Sequence, residues 1–387
     1  MLPRIYLRPF YYVPLLTVVA FFASPAVLIL TTIRKYRQPK LKRILVVPQL
    51  TRIGDVICST HVFRAIKKKY PTAHLAVLGA DDTEGVLKNN PWIDELIIFE
   101  EFDGLQILKK IVEGRYDAGI SLSGTAQSSL LFFFGLIPLR IKLSRINRPV
   151  IEWLTDGMNT NLEQYEHHAY LPEFFSTMLR HIGIRPIEAP VIKEIFTSLA
   201  ADEKAKHFIA EHSLVGKQVV GVSISAGNKV KEWGIEKFAE LCRMIRAQFP
   251  ELGIVFIGSK KERPAINRLV SLLGEGYPIA TDLTLEEFPS LMKLFSIFVS
   301  VDTGPMHIAD ALSVPLVDIL GPTHPNELTP RGPLAKVVKP SPDIAPSIFA
   351  FRDPGPVALS RKAIDSITPS AVFEAFTAML SLGKPKV

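Results

Sequence analysis

Cysteine is nearly missing from this chain of 387 residues: Cys58 and Cys242 are the only two, far apart in the sequence. That excludes a disulfide framework in practice and fits a reducing compartment. Metal-ligand spacing is missing too. Glu166-His167-His168 has no spaced third ligand, and Asp81-Asp82 reads as a solvated pair in a polar loop. Acid is absent from the first 43 residues, which hold Arg4, Arg8, Arg34, Lys35, Arg37, Lys40, Lys42 and Arg43. The formal net charge of +7 therefore belongs to one segment, because the remainder has 37 basic residues against 38 acidic ones. This balance argues against a general nucleic-acid surface.

Charge of either sign is absent from Phe10 to Ile33. A helix of that length is roughly 36 Å long, enough to cross a hydrocarbon core of about 30 Å. Tyr11 and Tyr12 sit at one end, where aromatics favour the interface. Two basic residues precede the run and six follow it, so the positive-inside bias puts the bulk of the protein in the cytoplasm. The expectation is a single-pass anchor in the inner, cytoplasmic membrane. Pro14 and Pro25 leave open a bent, re-entrant or interfacial segment. A cleaved signal peptide fits less well, since the run is long and a strongly basic flank follows.

Beyond residue 42 short apolar runs alternate with helical patterns. Ile44 to Val47, His74 to Leu78, Ile93 to Phe99 and Tyr116 to Leu122 read as strands, with helices between them. Such alternation means a parallel sheet covered on both faces. Leu130 to Leu139 reads as core, followed by a strand with a solvated basic edge at Arg140, Lys142, Arg145 and Arg148; a headgroup-binding surface is the other reading. Arg185 to Pro190 breaks the pattern, and it restarts with strands at Val219 to Ile224, Gly253 to Ile257, Ile297 to Val301 and Val314 to Leu320. We expect an anchor and basic flank over 1–41, a first α/β domain over 42–190 and a linker with a helix over 191–216. A second α/β domain follows over 217–345 and a helical tail over 346–387.

The loops after these strands share one sheet edge, where ligands bind in open α/β sheets. After the first strand, Gly54 allows a tight turn and Asp55 lies at the start of a helix. Asp55 there is either a first-turn acid or a group projecting into a cleft. In the second half, Lys231 can give a point charge to a phosphate, and Trp233 can pack its loop in place. Glu262 can bind ribose hydroxyls. Asp302-Thr303-Gly304-Pro305-Met306-His307 is a strand end, a turn and a helix start, with Pro305 at the first helical position. Backbone N–H groups, a helix dipole, a hydroxyl and an imidazole converge there, which suits a diphosphate. Asp302 would repel that diphosphate and more naturally accepts hydrogen bonds from hydroxyls of its carrier.

Arg52-Ile53-Gly54-Asp55-Val56, Lys231-Glu232-Trp233, Asp302 to Ala309 and Gly321-Pro322-Thr323-His324-Pro325, in this order and spacing, resemble the ADP-heptose:lipopolysaccharide heptosyltransferases, glycosyltransferase family 9. The resemblance covers about residues 42 to 385. It implies the GT-B architecture, two facing Rossmann-like domains, and inverting sugar transfer without a metal or other cofactor. Matched by motif, Asp55 is the general base, Lys231 the donor-diphosphate lysine, Glu262 the ribose acid and Asp302 the donor-sugar contact. Thr303, Gly304 and His307 form the diphosphate cradle. The implied partners are a nucleotide diphosphate sugar, in the family ADP-heptose, a lipid-linked saccharide acceptor such as lipopolysaccharide core, and the membrane. His61 stands where the family has proline, and Ser225-Ala226 replaces Pro-Gly. An inactive tethered sugar-nucleotide binder and a GT-B enzyme with another donor, such as an epimerase, remain alternatives.

Overall fold

The computed structural model describes residues 9–37, 41–50, 52–99, 104–274, 276–351 and 355–382. Two compact units divide the chain. One takes Met1–Arg52 and Ser59–Val191, the other Ile53–Cys58 and Ile192–Val387.

The first unit holds strands β1 (Arg43–Val47), β2 (His74–Ala80), β3 (Glu95–Phe99), β4 (Ala118–Ser121), β5 (Leu139–Ser144) and β6 (Asn161–Gln164). All pair in parallel, in the order β3-β2-β1-β4-β5-β6. Ile44 to Val47 are buried to the last residue, because helices cover both faces and leave no solvated side. The order reverses at β1, so the loop that follows it leaves the sheet at a topological switch point.

The second unit repeats the plan with β7 (Val219–Ser223), β8 (Gly253–Ile257), β9 (Ile279–Ala280), β10 (Ile297–Val301), β11 (Leu316–Ile319) and β12 (Ala335–Val338). Its order is β12-β11-β10-β7-β8-β9, again parallel throughout. The switch lies between β7 and β10, where Val222 faces Val299. The tail is two helices, Val357–Asp365 and Pro369–Leu380. Thr368 caps the second by accepting from the Ala371 N–H at 3.3 Å, and Pro369 fits its first turn. Val372, Phe376 and Met379 then enter the core of this unit.

The apolar N-terminal segment is one helix, Pro9–Arg37, whose stretch Val13–Ile33 is long and apolar enough to cross a membrane by length and composition. Val13, Ala20 and Val27 pack on Ala126, Leu130 and Phe133 of the helix Ala126–Phe134 in the first unit.

One expectation is corrected. The basic residues from Arg140 to Arg148 are not a solvated edge, and they are not free for headgroups. Lys142 is buried, 2.9 Å from Asp156, and Arg148 reaches the same carboxylate at 2.7 Å. Arg145 pairs with Glu152. Burial pushes the Arg140 guanidinium down to about 10, and its N–H groups end on the carbonyls of Met158 and Ile137. The acids that neutralise this run lie 7 to 14 residues downstream on the helix Val150–Asp156.

Removing one partner of such a buried pair strands a charge. Asp156→Ala is expected to cost about 3–5 kcal/mol, while Lys142→Met, Arg148→Met and Asp156→Leu together, which remove the whole group, should be close to neutral. Urea unfolding of the three proteins measures the difference.

Candidate functional site

The loops after β7 and β10 diverge at the switch point and meet through one ion pair. Lys231 closes a single 3-10 turn, Lys229–Lys231, in which the Val230 N–H donates to Asn228 Oδ1 at 3.2 Å. The loop is pinned just beyond. Trp233 is fully buried, its indole N–H donates to the Ile367 carbonyl at 2.9 Å, and its ring meets Phe238 edge-on at 5.0 Å. Arg361 donates to the Glu232 carbonyl at 2.6 Å. The ammonium of Lys231 is thereby held 2.6 Å from Asp302 Oδ2 and 3.0 Å from the Asp302 carbonyl.

Asp302 ends β10 and is 4% exposed. Burial alone would raise its carboxyl, but the Lys231 charge and hydrogen bond outweigh that and hold it below the ordinary carboxylate range. The chain then turns through Thr303, extended at φ −156°, into the helix Gly304–Ala311 with Pro305 in its first turn. Thr303 sits at the N-cap without its side chain capping the helix. The hydroxyl and the first amides of the turn therefore stand together at the positive end of the helix.

His307 lies one turn into that helix, 4% exposed. Its Nδ1 is 3.4 Å from Lys193 Nζ and 3.5 Å from Cys58 Sγ. Lys193 is itself held by Asp310 at 2.7 Å. Burial first, and the Lys193 charge second, push the imidazole down to about 3, so it is neutral at physiological pH. Burial also raises the Cys58 thiol to about 12. Both neighbours of Nδ1 are then donors. That makes Nδ1 the acceptor and places the ring proton on Nε2. The group offered by His307 is a neutral N–H donor, not a cation.

The turn that carries Asp55 lies against this ring. Asp55 is in the first turn of the helix Ile53–Lys69 and is 8% exposed. A Cβ on Gly54 would fall 2.6 Å from His307 Cδ2, and one on Gly304 would fall 3.4 Å from Ile53 Cβ. The requirement for glycine at 54 is therefore clearance for the imidazole. The expected tight turn is not what it serves, since Gly54 lies inside the helix.

The structure brings Lys231, Asp302, Thr303, Gly304 and His307 to one edge, with the Gly54–Asp55 turn beside them. Glu262 lies in the loop after β8, at the N-cap of the helix Arg263–Leu273. Its carboxylate turns back onto its own loop and accepts from the Ser259 N–H. His61 is a buried core residue of the first unit, its Nε2 3.1 Å from Ser176 Oγ. Sequence reasoning gave no role to Lys193, Cys58, Asp310 or Asp318. Cys58 and Lys193 meet His307 only through folding, across 249 and 114 residues, and Asp310 holds Lys193 from the His307 helix. Asp318 is a polar residue in an otherwise apolar strand, which was a usable signal. It is fully buried on β11, opposite Ser300, and neither carboxylate oxygen has a hydrogen-bond partner. Burial, reinforced by the Asp302 charge, raises it well above the usual range. The Lys231 ammonium favours the ionised form of Asp302, and the Asp302 charge in turn favours the protonated form of Asp318.

Residues 105–345 match the family described as glycosyltransferase family 9 (heptosyltransferase). The chain is 27% identical over 300 residues to lipopolysaccharide heptosyltransferase 1 of Campylobacter coli, spanning 71% of this chain and 83% of that protein. Its fold is similar to a family 9 glycosyltransferase from Veillonella parvula, with a TM-score of 0.74 and 21% identity over 88% of this chain and 98% of the other. It is also similar to the E. coli heptosyltransferase WaaC solved with ADP, with a TM-score of 0.66 and 15% identity over 87% and 99%. The two parallel sheets are thus those of the GT-B fold.

Two outcomes follow. Gly54→Ala should fold but lose roughly 100-fold in turnover, the scale of a misplacement of about 1 Å; circular dichroism with a turnover assay checks both halves. Asp318→Asn should change stability with a defined sign. A carboxyl raised in the folded state contributes most below its unfolded value, and that contribution is lost as pH rises through the folded one. Thermal unfolding should show the two proteins alike near pH 4 and the variant more stable than the parent at pH 8.

Proposed function

The chain belongs to glycosyltransferase family 9, and on that premise we propose that it is an inverting heptosyltransferase of lipopolysaccharide core assembly, taking heptose from ADP-heptose to a lipid-linked saccharide. The donor's nucleoside diphosphate occupies the β7–β10 switch point of the second unit. The acceptor belongs to the first unit. Support for the donor comes from the ADP carried by the solved heptosyltransferase with the same fold and from the chemistry of the switch point itself.

An acceptor hydroxyl oxygen attacks the anomeric carbon while Asp55 takes its proton, and the bond from that carbon to the diphosphate oxygen breaks. The leaving charge is met by Lys231, by the His307 Nε2–H and by the Thr303 and Gly304 amides at the helix end. Two hydrogens of the Lys231 ammonium go to Asp302, and the third serves a phosphate oxygen. Asp302 accepts from sugar hydroxyls and Glu262 from the ribose. These charged and dipolar groups do the work a metal ion does elsewhere. The N-terminal helix keeps the enzyme at the cytoplasmic face of the inner membrane, beside its acceptor, which raises effective concentration.

The observation that carries this reading is the buried His307 on the helix that follows Asp302, its Nδ1 beside Lys193 and Cys58 and its ring against the turn that bears Asp55, with the Lys231–Asp302 pair at the same strand end. Asp55→Asn should bind ADP as the parent does and lose about 10²–10⁴-fold in turnover, the span of a general base. Full activity in that variant removes Asp55 from the role. In a thermal-shift panel of ADP-, UDP-, GDP- and CMP-sugars, the adenine donor alone should raise the midpoint strongly.

A further inference from the structure

The N-terminal helix is amphipathic in reverse. From Val13 to Thr31, the residues turned toward the first unit are Val13, Thr17, Ala20, Ala23, Ser24, Val27 and Thr31, none larger than valine. The large apolar residues point the other way. Leu15, Val18, Phe21, Phe22, Leu28, Ile29 and Leu30 are all more than half exposed, and Phe22 reaches 77%. A helix on a water-soluble domain buries its large apolar side chains and exposes small or polar ones. Here the small residues let the helix sit close on its neighbours, the pattern of packing inside lipid, and the outward face is built for an apolar medium. The hydroxyls agree. Thr17 donates to the Val13 carbonyl at 2.7 Å and Thr31 to the Val27 carbonyl at 2.8 Å. Ser24 donates at 2.8 Å to the Phe21 carbonyl, the group that Pro25 deprives of its helical N–H.

The contact stripe also bears on orientation. Its 18 steps span about 27 Å, nearly the full hydrocarbon thickness. Over that length the helix lies on Ala126–Phe134 and on Val150–Asp156, two helices of a domain whose other face is a parallel sheet. A perpendicular crossing would carry those helices, with Glu152 and Asp156, into lipid. A second exposed apolar stripe adjoins the first: Val150, Trp153 and Leu154, at i, i+3 and i+4, are 73%, 62% and 49% exposed. Tryptophan is the residue most at home at the membrane interface. Basic residues flank the apolar run at both ends, Arg4 and Arg8 before it and Arg34, Lys35 and Arg37 after it. Both ends therefore suit anionic headgroups on the same side.

We propose that the helix Pro9–Arg37 stays docked on the first unit and lies in the plane of an anionic bilayer, with Trp153 and its neighbours entering the interface beside it, so that the chain is held on one leaflet without crossing. This rests on the membrane attachment proposed above and specifies its geometry. It departs from the single-pass expectation, and it makes the first unit the membrane-facing one. A lipid-linked acceptor would then arrive at the unit assigned to it.

The test uses the full chain with vesicles of phosphatidylglycerol and phosphatidylcholine. Brominated lipids should quench the fluorescence lost in Trp153→Phe, and Trp153→Ser should weaken flotation about tenfold. In cells, Leu2→Cys should resist a membrane-impermeant maleimide in intact spheroplasts and react in inside-out vesicles, against a background of buried Cys58 and Cys242. Labelling in intact spheroplasts means a crossing helix and overturns the proposal while leaving membrane attachment standing. Flotation without quenching of Trp153 removes the second stripe and with it the in-plane geometry. No flotation at all, with dimers in detergent, assigns the face to a second copy and ends the attachment reading as well, while the transfer assay of Asp55→Asn is unaffected.

Discussion

The contact between Lys231 and Asp302 organises the second unit's edge. Each charge sits where water is nearly excluded, and neither would be tolerable there alone. The pair forms because β7 and β10 are neighbours, so loops 71 residues apart leave the sheet side by side. Its consequences spread outward. With Asp302 held as an anion, the buried Asp318 carboxyl is pushed further toward its protonated form. With Lys193 fixed by Asp310, the imidazole between these charges stays neutral. Lys231 and Lys193 are each matched by a carboxylate, Asp302 and Asp310. On the proposed reading a diphosphate is therefore received by hydrogen bonds, helix-end amides and a shared ammonium, not by a surplus of cations.

That balance bears on the chemistry. A charged imidazolium would stabilise a bound diphosphate before and after bond breaking alike, and would hold the product. A neutral N–H donor interacts more weakly with the ground state and gains as negative charge builds on the leaving oxygen, which is the kind of interaction that speeds a step. Lys193 acts through His307 here. Its place at Nδ1 leaves Nε2, which lies against Gly54, as the nitrogen that carries the ring proton.

What could be read from the sequence was local. The strand at Ile297–Val301, the proline in the following helix and the burial of Trp233 all depend on residues within a few positions of one another. The family motifs named Lys231, Asp302, Thr303, Gly304 and His307, which the fold brings to one edge of the second unit. Two kinds of feature were not legible. Partners separated by long stretches, such as Lys193 and His307 at 114 residues, leave no periodic trace. A basic run looks solvated until its acids are found, and those on Val150–Asp156 became visible only once that helix lay beside β5. Gly54 was read from backbone freedom, when what it supplies is the absence of a side chain facing an imidazole from the other half of the sequence.

The N-terminal helix shows the same limit from the opposite side. Composition gave its apolarity at once, but apolarity is uniform around the run and says nothing of direction. Size is not uniform, and size is what packing selects. Leucine and phenylalanine bury more area than alanine, so in water a docked helix would gain by turning them inward. The opposite rotation is stable only where the outer medium is as apolar as the inner contact. In such a medium the area term drops out of the choice, and close approach of small residues decides which face docks. On the proposed attachment, the rotation of this helix on its neighbours is the one that an apolar outer medium favours.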